Sequence, residues 1–121
     1  MDAERLAHTL GYASELFKVL SEPTRLLIFM YLAKRGEASV KEIAKALGRP
    51  ENLVSYHIGA VKRLGFIGFR KAGKKVYYRL VDDRFRKLIQ VAIELVESKQ
   101  EPFIKPRRLK FQVNRVADSI R

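Results

Sequence analysis

Residues 68–75, Gly-Phe-Arg-Lys-Ala-Gly-Lys-Lys, fall one residue short of G-x-x-x-x-G-K-[ST], the pattern of loops that cradle nucleotide phosphates. That chemistry needs a Ser or Thr hydroxyl on magnesium at the last position. It also needs a helix whose N-terminus faces the phosphates. Here Lys75 holds the hydroxyl's place, and Val76-Tyr77-Tyr78 continues as a strand-forming run. No acidic Walker-B strand follows, so nucleotide chemistry is not expected. The segment reads instead as a hairpin tip, with Gly73 supplying the positive φ of the turn. Lys71, Lys74 and Lys75 then project at its end, where ammonium groups suit the phosphate backbone of a duplex.

Other reactive side chains are few. The absence of cysteine excludes disulfides, thiolate metal sites and thiol catalysis. His8 has no second ligand near it in sequence and reads as surface or interface. The carboxylates scatter over helix caps and exposed faces, and no Ser/His/Asp set can be assembled, so neither an enzyme nor a cofactor is expected. Around the last helix lie Asp82, Asp83, Glu94 and Glu97 but no histidine. A d-block ion prefers imidazole or thiolate, so no metal is expected either.

Charge supplies the stronger direction. The 121 residues carry a net charge of +12, which calls for an anionic partner, with nucleic acid ahead of an acidic membrane. Between Arg49 and Arg79, Arg49, Lys62, Arg63, Arg70, Lys71, Lys74, Lys75 and Arg79 face Glu51 alone, which makes a patch. The start, MDAERLAHTL, lacks a signal peptide's apolar run, and the longest apolar run, 26–33, is too short to cross a bilayer. A cytoplasmic, nucleoid-associated protein with no membrane partner is expected.

These groups need elements to hold them. Leu6, Leu10, Ala13, Phe17 and Leu20 recur at helical spacing over 3–20. Ser21 is placed to cap a second helix over about 22–34, with Glu22 and Pro23 in its first turn and Gly36 at its end. Ser39 and Glu42 form a capping box for the short helix VKEIAKAL. After Gly48 and Pro50 a further helix, 50–64, buries Val54, Ile58 and Val61. Two helices joined by Gly-Arg-Pro form a helix-turn-helix. The period then changes, and residues 66–81 read as a β-hairpin. Asp82 or Asp83 can cap a last helix over 83–98, with Phe85, Leu88, Ile89, Ala92, Leu95 and Val96 on one side and Val91 and Ile93 outside that stripe. The fold class is mainly α with a small β-hairpin (α+β): a winged helix-turn-helix flanked by N- and C-terminal dimerisation helices. It occupies 1–100, and 101–121 is a basic extension broken by two prolines.

On a helical wheel, Asn52, Tyr56, Gly59 and Arg63 point away from the buried face of helix 50–64, with Ser55 beside them. Asn52 can bond adenine bidentately, Ser55 a phosphate or base edge, and Tyr56 a thymine methyl or phosphate. Gly59 leaves room for close backbone approach. Lys62 and Arg63 extend the basic patch. His57 lies at the edge of the buried face, where it can be a structural histidine or a member of the recognition set. Arg25 reads as a structural ion-pair former.

The apolar stripes of the first and last helices exceed what one small core can cover. Leu6, Leu10 and Phe17, with Phe85, Leu88, Ile89, Ala92, Leu95 and Val96, are therefore expected to pair two copies across a two-fold axis. That pairing would set two recognition helices about 34 Å apart, one turn of DNA.

The stretches LFKVLSEPTRLLIFMYL, VKEIAKALGRPENLVSYHIGAVKRLGFI and KKVYYRLVD resemble ArsR-type winged-helix transcriptional regulators over about residues 14–83. The resemblance implies a homodimer that binds operator DNA and represses, and it places a histidine at the position of His57. Many such relatives sense metals through cysteines on the helix-turn-helix or acid/His groups on the last helix. This chain departs from both patterns. The function expected is sequence-specific binding of double-stranded DNA, with helix 50–64 in the major groove and the 66–81 wing on phosphates. The alternative is an architectural chromatin-type protein of low sequence specificity. An RNA-binding or protein-interaction module on the same fold is a third reading.

Overall fold

The computed structural model describes residues 1–98, and the 101–121 extension lies outside them. Helix α1 (Ala3–Leu20) opens on Asp2, whose carboxylate accepts from the Arg5 amide at 2.8 Å. Only its last turn, Val19 and Leu20, is buried. Leu16 packs half-buried against the core, and the turns before Ala13 are exposed, a consequence of an apolar stripe with too little core to cover it.

Helix α2 (Pro23–Arg35) is the central element, with Ile28, Phe29 and Leu32 fully buried. Its cap differs from the sequence expectation. Ser21 keeps helical dihedrals and its hydroxyl donates to the Lys18 carbonyl, closing α1. An N-cap needs extended backbone, which first appears at Glu22, whose carboxylate accepts from the Thr24 amide at 3.0 Å. Gly36 ends α2 at φ 86.

The capping box at Ser39 is formed in both directions and starts α3 (Val40–Leu47). Gly48 takes the left-handed conformation, and α4 (Glu51–Lys62) follows, a residue or two shorter at each end than expected. Strands β1 (Ile67–Ala72) and β2 (Lys75–Leu80) pair antiparallel, Ala72 opposite Lys75, around Gly73 and Lys74. Gly73 carries the positive φ, as a tight hairpin requires. One feature had no sequence cue: Ala38 and Tyr78 exchange both backbone hydrogen bonds, at 3.0 and 2.8 Å, joining the segment before α3 to the wing.

Helix α5 (Arg84–Glu97) is capped from Asp82, whose carboxylate accepts from the Arg84 amide at 2.9 Å. Asp83 makes no such bond. Phe85 packs between Phe29 and Phe66, with ring centroids 5.3 and 5.2 Å away, and so fixes α5 on α2 beside the wing's base.

Candidate nucleic-acid interface

Val54, His57, Ile58 and Val61 fasten α4 to the core, so the helix has one orientation and one outward face. Asn52, Ser55 and Tyr56 lie on that face, exposed, with Tyr56 64% exposed. Gly59 is half-buried, and a Cβ built there would meet nothing within 4 Å. No internal packing demands a glycine at that position.

His57 does not join them. It is 6% exposed, and its Nδ1 accepts from Arg25 Nε at 3.0 Å. Burial, then the neighbouring Arg25 cation, hold its pKa below the ordinary value, so the ring is neutral and free to accept. Arg25 forms this cross-helix hydrogen bond; the ion pair expected of it is not among the described salt bridges.

The wing holds its charges in two ways. Lys71, Lys74 and Lys75 are exposed around the turn and make no ion pair among the described residues. Arg70 is committed to the protein itself: its Nε donates to both Glu37 carboxylate oxygens at 2.9 and 3.0 Å, and its guanidinium lies 4.7 Å from the Tyr77 ring centroid. This pairing lowers the Glu37 pKa and raises that of Arg70. Lys62 is likewise engaged, its ammonium 4.0 Å above the Phe69 ring of β1. Arg79 covers Gly68 so closely that an added Cβ would sit 3.1 Å from the guanidinium carbon. Arg63 stays exposed at the end of α4.

Sequence reasoning passed over Lys41 and Lys45. Both are exposed on α3, opposite the buried Ile43, Ala44 and Leu47, and they line a surface cleft with Arg49 beside the start of α4. The wheel applied to α4 finds them when applied to α3. The candidate surface thus comprises the polar strip of α4, the exposed lysines of α3 that share a cleft with its start, and the exposed lysines of the wing.

Leu6, Leu10 and Phe17 are exposed on α1, as are Ala92, Leu95 and Val96 on α5, while Leu88 is half-buried. Phe85 and Ile89 need correction as pairing residues: both are buried in the protomer's own core, because the stripe on α5 is wide enough to serve α2 with one edge. Tyr12, 68% exposed and edge-on to His8 at 5.0 Å, was missed. Among the described residues, no group of three or more His, Asp or Glu is placed to hold a metal ion. None of the described helices is long and apolar enough to cross a membrane.

A family profile described as a helix-turn-helix domain matches residues 20–67. An uncharacterised HTH-type transcriptional regulator of Methanocaldococcus jannaschii is 37% identical over 83 residues, which are 69% of this chain and 93% of that one. The arsenical resistance operon repressor of Escherichia coli is 38% identical over 66 residues, 54% of this chain and 56% of the repressor. The chain belongs to the ArsR family of winged-helix transcriptional regulators. Solved ArsR-type structures agree in architecture. The homodimeric winged helix-turn-helix domain Mb0332 of Mycobacterium bovis, described as a possible ArsR-family regulator, superposes with a TM-score of 0.69 at 25% identity, covering 88% of this chain and 98% of that one. The repressor BigR of Xylella fastidiosa gives 0.67 at 26% identity over 78% and 96%. The match spans little more than half of the Escherichia coli repressor's length and nearly all of the Methanocaldococcus one.

Proposed function

We propose that this ArsR-family chain is a homodimeric repressor that binds a near-palindromic operator in double-stranded DNA and needs no metal to do so. Asn52, Ser55 and Tyr56 read base edges from the major groove, and Gly59 lets the α4 backbone come close. Lys71, Lys74 and Lys75 hold phosphates from the wing, Arg63 from the end of α4, and Lys41 and Lys45 from α3. Lys62 and His57 serve by position: one braces α4 against the wing, the other ties α4 to α2. The exposed stripes of α1 and α5, with Leu88 at the edge, meet their copies across a two-fold axis. The protein acts in the cytoplasm, on the nucleoid.

The observation that carries this reading is the exposed polar strip of α4, with exposed lysines on α3 and on the wing, on a helix locked by its opposite face. Selection of bound fragments from random duplexes, followed by anisotropy titration, tests it. A selected site should bind about 10³-fold more tightly than a scrambled duplex. Equal affinity for both would mean an architectural protein instead.

A further inference from the structure

Ile93 stands outside the core stripe of α5 and is still only 39% exposed, because it borders a cleft of about 510 Å³ between α2 and α5. Met30 and Ala33 of α2 and Ile89 and Ile93 of α5 give it an apolar lining, and the small Ala33 leaves the space open. Lys34, Arg86 and Gln90 also line it, all three exposed. Neither cation has an ion-pair partner among the described residues.

The position on α5 separates this cleft from the pairing surface. Leu88, Ala92 and Leu95 form one i, i+4, i+7 edge, and Arg86, Gln90 and Ile93 form another. The two edges are offset by two residues, or about 200° around the helix. The cleft thus opens on a different edge of α5 from the one that carries Leu88, Ala92 and Leu95.

We propose that the α2/α5 cleft is a binding site for a small amphiphilic anion: an apolar body lying on Met30, Ala33, Ile89 and Ile93, and a carboxylate or phosphate head held by Arg86 and Lys34. The volume falls within the range of small-molecule sites, and an apolar lining with a few converging polar groups is their usual construction. Arg86 offers a planar fork to a carboxylate or phosphate, and Lys34 adds a second charge from the facing helix. Gln90 supplies an amide for orientation. Lys34 and Arg86 on the lining favour an anion over a cation or a basic peptide, although the Gln90 amide also donates to the Glu94 carboxylate at 3.3 Å. The site stands independently of the DNA-binding reading.

Calorimetric titration of the full chain, without DNA, tests it with decanoate, decyl phosphate and decanol as probes. Either anion should bind once per protomer at about 100 μM or tighter, with decanol at least about tenfold weaker. The stronger of the two anions identifies the head group. The variant Lys34→Gln/Arg86→Gln should lose at least about tenfold in anion affinity, while Lys87→Gln, at an exposed cation of α5 that does not line the cleft, should lose nothing. Methyl NMR of the wild-type protein gives a reading that no misfolded variant can spoil: the Met30, Ile89 and Ile93 methyls should shift with the bound anion. The proposal falls if neither anion binds up to about 1 mM, if decanol binds equally well, if the Lys34/Arg86 variant binds like wild type, or if the shifts cluster elsewhere.

Discussion

Arg25 Nε donates a hydrogen bond of 3.0 Å to His57 Nδ1, joining the first turn of α2 to the buried side of α4. The bond exists only while the ring is neutral, and burial with Arg25, together with Arg49, keeps it so against an opposing pull from Glu22. The folded pKa lies below the ordinary 6.5, so the unfolded chain takes up the proton first. Stability from this contact is fully present above about pH 6.5 and is lost as the pH falls from there through the folded value. Melting temperature should therefore drop between about pH 7.5 and pH 5.5. In His57→Asn, whose amide oxygen can accept from Arg25 without titrating, the drop should shrink. An identical pH profile for the two proteins would refute the coupling.

The wing lysines should add affinity without choosing sequence. Replacing Lys74 and Lys75 with Ala should weaken binding to every duplex and make the salt slope shallower by about 1 per lost contact. An unchanged slope with altered base preference would mean that the wing reads bases.

Gly59 separates helix stability from DNA approach. Open space at its Cβ position means that Gly59→Ala fits the fold and should stabilise α4 by about 0.5–1 kcal/mol, since a helical glycine costs backbone entropy. If the α4 backbone lies against the groove, the same methyl should weaken operator binding by about tenfold. A more stable variant with undiminished operator affinity would show that the helix does not approach so closely.

Pairing should fail when the exposed edges are charged. Leu10→Glu on α1 and Ala92→Arg on α5 lie outside the protomer's core, so each should leave the fold intact, split the dimer and weaken operator binding together. Light scattering that finds a wild-type monomer at micromolar concentration, still tight on a palindrome, would overturn the dimer.

Metal ions should not control operator binding, because the chain has no cysteine and α5 no histidine, the ligand types that d-block ions prefer. Zinc, cadmium or arsenite at micromolar levels should leave the affinity unaltered. A loss of about tenfold, reversed by chelator, would contradict this.

Local rules made most of the architecture legible. The Ser39/Glu42 box, the glycines at 36, 48 and 73 and the apolar spacing of α4 each act within a few residues, and each placed its element. The outward face of α4 followed from the same periodicity. What could not be read depends on residues far apart in sequence. The partnership of Arg25 with His57 spans 32 positions and that of Glu37 with Arg70 spans 33. Neither is implied by spacing, so Arg25 was assigned an ion pair and Arg70 counted only as patch charge. Phe85 and Ile89 were given to the partner subunit for a related reason: a stripe shows that a face is apolar, not whose atoms cover it.

The tie at the wing's base has a mechanical consequence. Glu37 and Ala38, the residues that lead into the helix-turn-helix, also grip Arg70 and Tyr78 of the two wing strands. The wing is thus no free finger that finds a phosphate wherever one happens to lie. If α4 and the wing hold DNA as proposed, the wing is the second jaw of a caliper whose opening is set at one joint. A duplex whose groove is wider or narrower than that opening must deform to satisfy both jaws, and that deformation depends on base sequence even where no side chain touches a base.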